Sequence, residues 1–268
     1  MHASSGTWFG IALALSAAGA RAAWSAPDSV WTVPADAPVE TARTSSADPS
    51  DQALFLMPTA FLPPAKAFAF RDFDLLFMTF GYSPGARTAI SGGFLLPAGI
   101  PLAAFTAGLK QNLWSEGSSA AVSITGNLTQ PFFDGFISSG FFANTNLVAS
   151  KRFTGADGRD MFGIHGAVGY VGHRERSSDS DPSWNMQGGL DYGLGVEAVL
   201  TRHAKFLVEY LSTDPFYSDN SFQGGVFSLG FRVHDERLAA DIAGLRLFQP
   251  QDPNQLKLLP LIVLSYRI

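Results

Sequence analysis

The chain has 268 residues, 46% hydrophobic and 15% charged, against about one quarter charged in ordinary soluble domains. It contains no cysteine, which excludes disulfides, thiolate metal sites and a lipidated N-terminal Cys. A net charge of −5 gives no basic face for nucleic acid and reads as plain solubility.

The first element is the apolar run Trp8 to Ala20, too short to cross ~30 Å of hydrocarbon as a helix. Ala20-Arg21-Ala22 then offers a small-x-small cleavage site, so residues 1–22 are expected to be a signal peptide. Its n-region holds His2 but no Lys or Arg before Arg21. From Ala23 to about Asp51 the composition is Pro, Ala, Ser, Thr and Asp, which buries too little apolar surface to order itself. Residues 23–52 are therefore expected to form a flexible periplasmic segment. No later window reaches ~18 consecutive apolar residues, so no transmembrane helix is expected.

From residue 53 the dominant signal is period-two alternation, the mark of strands. Ala53 to Ala60 (ALFLMPTA), interrupted by Pro58, and Phe68 to Tyr82 are read as the first two strands. Next, Phe105, Leu109 and Leu113 oppose Thr106, Lys110 and Asn112, and Val122 and Ile124 oppose Ser123, Thr125 and Asn127. Phe141 to Phe153 sets Phe141, Ala143, Thr145, Leu147 and Ala149 against Asn144, Asn146, Ser150 and Arg152. Phe162, Ile164, Val168 and Tyr170 oppose His165 and His173. The clearest case is Trp184 to Leu200, whose even positions are nearly all apolar while the odd ones include Gln187, Asp191 and Glu197. A 3.6-residue period would mix those sets on shared faces. Phe227, Leu229, Phe231 and Val233 oppose Ser228, Arg232 and His234, and Leu238, Ala240 and Ile242 oppose Asp241. The chain closes on Leu258 to Ile268, where Ile262, Leu264, Tyr266 and Ile268 alternate with Val263, Ser265 and Arg267.

A soluble sandwich also alternates, but many of these strands reach 11 residues, whereas soluble strands average ~5–6 and a tilted membrane strand needs ~9–11. Short turns (83–86, 115–118, 201–203, 233–236) also alternate with longer polar links (129–135, 174–183, 213–220, 248–255), the asymmetry of outer-membrane barrels. The links 97–101 and 154–160 blur that rhythm. Residues 53–268 are expected to form an all-β, closed, antiparallel transmembrane β-barrel. An even count with both ends inside gives 12 strands, with 10 as the fallback.

The C-terminal LPLIVLSYRI resembles the terminal strand read by the outer-membrane assembly machinery, departing from it by ending in Ile268 rather than Phe. The segments 75–94 and 193–212 are similar to strand–turn–strand units of bacterial outer-membrane barrels. This resemblance implies fold, an outer-membrane location and the assembly machinery as partner, with Ile262, Leu264, Tyr266 and Ile268 as the signal strand. It implies no solute and no reaction.

Inward positions carry Lys110, Arg152, His165, Asp191, Glu197, Lys205, Glu209, Arg232, Asp241 and Arg267, which in a closed barrel point away from lipid. Rings of charge can sort or bind small solutes. Alternatively the groups neutralise one another and fill the lumen, the preferred reading, because buried opposite charges must pair and pairing needs no ligand. Tyr170, Trp184, Tyr192, Tyr210 and Tyr266 fall on the outward parity and are expected to sit at the lipid headgroups as an aromatic girdle. Two rival classes are a barrel enzyme acting on lipid or peptide and a secreted β-sandwich. For the enzyme, no His carries the Ser-Asn element of the lipases. His165 and His173 lie about 26 Å apart along one strand, and only Asp191 near His165 offers a couple. No enzymatic activity, metal site or cofactor is expected. Asn127-Leu128-Thr129 matches a glycosylation acceptor, a common triplet.

Overall fold

The computed structural model describes residues 48–74, 77–95, 102–133, 136–137, 141–156, 158–176, 184–212, 225–248 and 259–268. The expected signal peptide and the 23–47 part of the expected flexible segment lie outside these residues.

Strands form where the alternation is strongest: β1 (Phe68–Phe73), β2 (Phe77–Gly85), β3 (Thr88–Leu95), β4 (Leu102–Glu116), β5 (Ala120–Phe133), β6 (Phe136–Ile137), β7 (Phe141–Thr154), β8 (Asp160–Arg176), β9 (Trp184–Thr201), β10 (Ala204–Ser212), β11 (Gly225–His234), β12 (Leu238–Phe248) and β13 (Leu259–Arg267). Each long strand pairs antiparallel with its sequence neighbours, and β1 pairs with β13, Ala69 opposite Arg267 and Phe73 opposite Val263. Among the described residues the two-residue β6 pairs with the end of β5. The remaining 12 strands close on themselves through the β4–β5 and β1–β13 ladders. A closed ring leaves no unpaired sheet edge.

The expected count of 12 therefore holds, but with different first strands. Ala53–Ala60 is not in the wall. Leu54 N–H donates to the Met57 carbonyl at 2.8 Å and a lone bridge joins Ala53 to Pro58, so this piece is a tight hairpin. Pro58 has no N–H to give a ladder, and Leu54, Phe55, Leu56 and Met57 are almost wholly buried. The missing strand comes from Phe68–Tyr82, which is two strands rather than one. Asp74 adopts φ 53°, the left-handed region that Asp tolerates better than most residues. Its N–H donates to the Ile262 carbonyl at 2.9 Å and its carboxylate accepts the Ile262 N–H at 2.7 Å. That clamp reverses the chain between β1 and β2.

Five tight connections lie at one end of the barrel, 86–87, 117–119, 155–159, 202–203 and 235–237, while the β1–β2 reversal lies at the other. In the 235–237 connection, the Asp235 carboxylate accepts the Leu238 and Arg237 N–H groups, both at 2.7 Å. Those two donors hold its pKa below the ordinary carboxylate value.

Along β9, Asp191, Gly193, Gly195 and Glu197 are buried inside, while Leu190, Tyr192, Leu194, Val196 and Leu200 are exposed outside. The same division runs round the ring, with Leu147, Ile164, Val168, Phe231 and Ile242 outward and Val148, His165, Arg232 and Asp241 inward. No second layer of the described residues covers the outer face. The stretch from Leu190 to Leu200 runs about 33 Å along the strand, or ~25 Å in height at the ~40° tilt usual for such barrels. Among the described residues no helix is long and apolar enough to cross a membrane, a test that does not address strands.

Candidate functional site

The lumen is occupied by the chain's own residues 48–61. Asp48–Gln52 were expected to end a flexible segment, and instead lead into the hairpin packed inside the wall. Contacts reach strands on all sides, which places the hairpin within the ring. Glu209 on β10 accepts the Leu56 and Met57 N–H groups at 2.7 and 3.0 Å and the Ser228 hydroxyl at 2.7 Å. Arg71 on β1 donates to the Leu54 carbonyl, as does Arg232 on β11 at 2.9 Å. Lys110 on β4 donates to the Gln52 and Phe61 carbonyls at 3.1 and 2.8 Å. Ser123 on β5 donates to the Ala60 carbonyl at 2.6 Å, and Ser150 on β7 accepts the Ala60 N–H at 2.7 Å. Backbone groups buried away from water must find such partners, and here the wall's side chains supply them.

The hairpin's apolar tip rests where the wall has no side chain. A Cβ on Gly195 would come within 2.1 Å of Leu54 Cδ1, and one on Gly193 within 3.2 Å of Met57 Sδ. These β9 glycines make room for the tip.

Near the short-turn end the hairpin's two carboxylates meet a cluster of wall cations. Arg152 grips Asp51 with both terminal nitrogens, Nη2–Oδ1 at 2.7 Å and Nη1–Oδ2 at 3.1 Å. Lys205 Nζ lies 2.9 Å from both Asp48 Oδ2 and Asp51 Oδ1. Arg232 Nη1 lies 3.2 Å from Asp48 Oδ2. Wall acids complete the network. Glu197 Oε1 accepts Arg152 Nε at 2.6 Å and its Oε2 faces Lys205 at 3.2 Å. Asp241 takes a fork from Arg232 at 2.7 and 2.8 Å, with Arg71 at 3.4 Å. The Arg152 guanidinium also lies 4.2 Å from the centre of the Phe61 ring, a cation–π contact. Charges buried this deeply are tolerated because each meets several partners.

The expected lumen residues are placed as follows. Arg152, His165, Asp191, Glu197, Lys205, Glu209, Arg232 and Asp241 are buried on the inner wall, and Lys110 is half-buried there. Arg267 lies apart from the network, at the short-turn rim, with Nη2 2.5 Å from the Glu236 carbonyl. Asp191 does not approach His165. His165 pairs with Gly195 and Asp191 with Gly169, about 13 Å apart along the strands. His165 Nδ1 instead lies 2.9 Å from Ser150 Oγ, and its Nε2 3.8 Å from Glu197 Oε1. A Ser–His–Glu series suggests nucleophilic chemistry. In this geometry the Ser150 hydroxyl accepts the Ala60 N–H, the His165 ring stands edge-on to Phe61 at 6.2 Å, and Glu197 is engaged by the wall cations Arg152 and Lys205. The His173 side chain lies outside the described residues.

Farther from the cations the inner wall turns to amides and hydroxyls. Asn127 Nδ2 donates to Asn144 Oδ1 at 3.1 Å and Asn146 Nδ2 to Asp191 Oδ2 at 3.3 Å. Asn127 is 4% exposed, which removes it as a glycosylation acceptor. Between hairpin and wall remains a cavity of about 110 Å³ bordered by Gln52, Ala53, Pro58, Arg71, Lys110 and Asn127, space for a handful of waters.

On the outer face, Tyr170, Tyr192 and Tyr210 lie on neighbouring strands, with Tyr192 and Tyr210 rings 6.1 Å apart. Tyr266 lies near the opposite end, opposite Phe70 and Leu238. Trp184 begins β9, and its side chain lies outside the described residues. Ile262, Leu264, Tyr266 and Ile268 all face outward. Asp48, Asp51, Arg71, Ser123 and Ser150 were not singled out from sequence as site residues. Only Arg71 and the two serines carried a usable signal, their inward parity.

No family model matches the chain, and no curated protein matches it. Among solved structures it is similar to a NanC porin (TM-score 0.44, 9% identity, covering 75% of this chain and 97% of that one). It is also similar to CdiB from Acinetobacter baumannii (TM-score 0.31, 10% identity, 75% of this chain and 50% of that one) and CdiB from Escherichia coli (TM-score 0.28, 9% identity, 77% and 52%).

Proposed function

We propose that the protein is an outer-membrane barrel whose wet lumen is stoppered by its own hairpin and admits small polar solutes when that hairpin shifts. The observation that carries this is the hairpin itself. Residues 48–61 are held by hydrogen bonds and ion pairs to the wall, beside a cavity of about 110 Å³. A wall that merely needed filling could use large apolar side chains at lower desolvation cost. A polar, charge-held stopper instead leaves a hydrated passage when it moves. The apolar outer face supports lipid as the surrounding solvent. The outward row Ile262, Leu264, Tyr266 and Ile268 supports delivery by the outer-membrane assembly machinery.

Planar-bilayer recording of the refolded full chain tests the pore. The wild-type protein is expected to stay nearly closed. Gly195→Val puts a branched side chain where Leu54 packs, so it should pry out the hairpin without touching a charge and give conducting events. A wild-type channel that is always open would show that the hairpin is no seal. Closed traces from both proteins would leave a purely structural envelope role.

A further inference from the structure

We infer that Arg152, Lys205 and Arg232 form a binding site for small dicarboxylates, which Asp48 and Asp51 of the hairpin fill as resident substitutes. The inference rests on the stoppered-pore reading and names the solute class that the pore would accept.

The hairpin's carboxylates sit as a ligand would. Asp51 receives a two-pronged guanidinium contact from Arg152 and an ammonium contact from Lys205, and Asp48 bridges Lys205 and Arg232. Bidentate guanidinium recognition fits a planar carboxylate and confers direction as well as attraction. Both acids share one Lys205 nitrogen at 2.9 Å, so their bound oxygens lie within about 6 Å of each other. Within the connected ion-pair network of described residues, four wall cations (Arg71, Arg152, Lys205, Arg232) face two wall acids, Glu197 and Asp241. Glu209 faces Arg71 and Asp160 stands near Arg152 and Lys205, but neither makes the direct contacts that Asp48 and Asp51 make with Arg152, Lys205 and Arg232. Buried cations that lose their direct partners draw an anion of matching shape. The Asp51 side chain remains 27% exposed, so water already reaches this corner. A solute with two carboxylates a few ångströms apart replaces those contacts when the hairpin leaves, whereas a cation or neutral solute does not.

Chemical rescue tests this on the full chain. Asp48→Asn combined with Asp51→Asn removes the two charges but keeps their size. The midpoint of heat-modifiable gel mobility should fall for this variant. Succinate should restore it, by about 3 °C at ten times its dissociation constant, with sodium chloride at matched ionic strength as the reference. The wild type, its site already filled, should not respond. If the double variant fails to refold, its refolding yield with and without succinate reads the same site, and Asp51→Asn alone should respond to acetate. An equal response to chloride, or an equal response from the wild type, overturns the inference. The readout needs no open pore, so this site and the conductance reading fail separately.

Discussion

Arg232→Ala is expected to destabilise the folded barrel by about 3–5 kcal/mol, the usual cost of removing one partner from a buried ion pair. The guanidinium is 1% exposed. It forks onto Asp241 through Nε and Nη2 at 2.7 and 2.8 Å and reaches Asp48 at 3.2 Å. It also donates to the carbonyls of Ser50, Ala53 and Leu54 at 3.2, 3.2 and 2.9 Å. Its loss leaves Asp241 with Arg71 at 3.4 Å as its remaining ion-pair partner within the described network, and removes a donor from three hairpin carbonyls, of which Leu54 keeps Arg71 and Ser50 keeps the Ala53 N–H. Arg232→Lys keeps the charge but cannot make the fork, and should fall between wild type and alanine. Pairing Arg232→Ala with Asp241→Ala should cost less than the two single changes together, because the second removes the acid that the first stranded. Urea unfolding of the refolded protein gives the energies, and limited proteolysis within residues 48–61 reports whether the hairpin has left the wall. A loss below about 1 kcal/mol for Arg232→Ala would mean that this network does not hold the stopper.

The barrel wall was legible because its signal is local and repeated. Trp184 to Leu200 was read as one strand and forms β9, Trp184–Thr201. Phe141 to Phe153 forms β7, Phe141–Thr154. Parity also set Arg152, Glu197, Glu209, Arg232 and Asp241 apart from the apolar residues beside them, and in the structure they lie on the inner wall. The β1–β2 reversal was invisible for a geometrical reason. Phe68, Phe70, Phe80 and Tyr82 all face outward, while Phe73 and Phe77 both face inward, so alternation runs through the turn unbroken. The hairpin was illegible for a different reason. Its backbone partners lie far along the chain, 153 residues away for Leu56 with Glu209 and 179 for Ala53 with Arg232. No period within residues 48–61 encodes them, and a short apolar run such as Leu54 to Met57 does not by itself distinguish a strand from any other buried piece.

Val196→Arg tests the outer face, and an expected cost of about 2–4 kcal/mol follows from placing a cation near mid-bilayer on a barrel strand. Val196 faces outward between Ile164 and Val208 and lies between the rim marked by Tyr192 and Tyr210 and the short-turn end of β9. Tyr192 sits at the level where β10 ends, its N–H donating to the Ser212 hydroxyl at 3.0 Å. Tyr192→Arg can therefore extend its charge toward the headgroups and should cost ~0–1 kcal/mol. Asp191→Asn, on the inner wall, keeps an acceptor for Asn146 and should also be mild. Unfolding in lipid vesicles should thus rank Val196→Arg well above the other two. In a soluble sandwich the ranking changes, because an arginine on a water-facing strand is nearly neutral and the same residue facing a second protein layer would be as damaging at 192 as at 196. Only hydrocarbon of finite thickness makes the penalty rise and fall with height along one face of one strand.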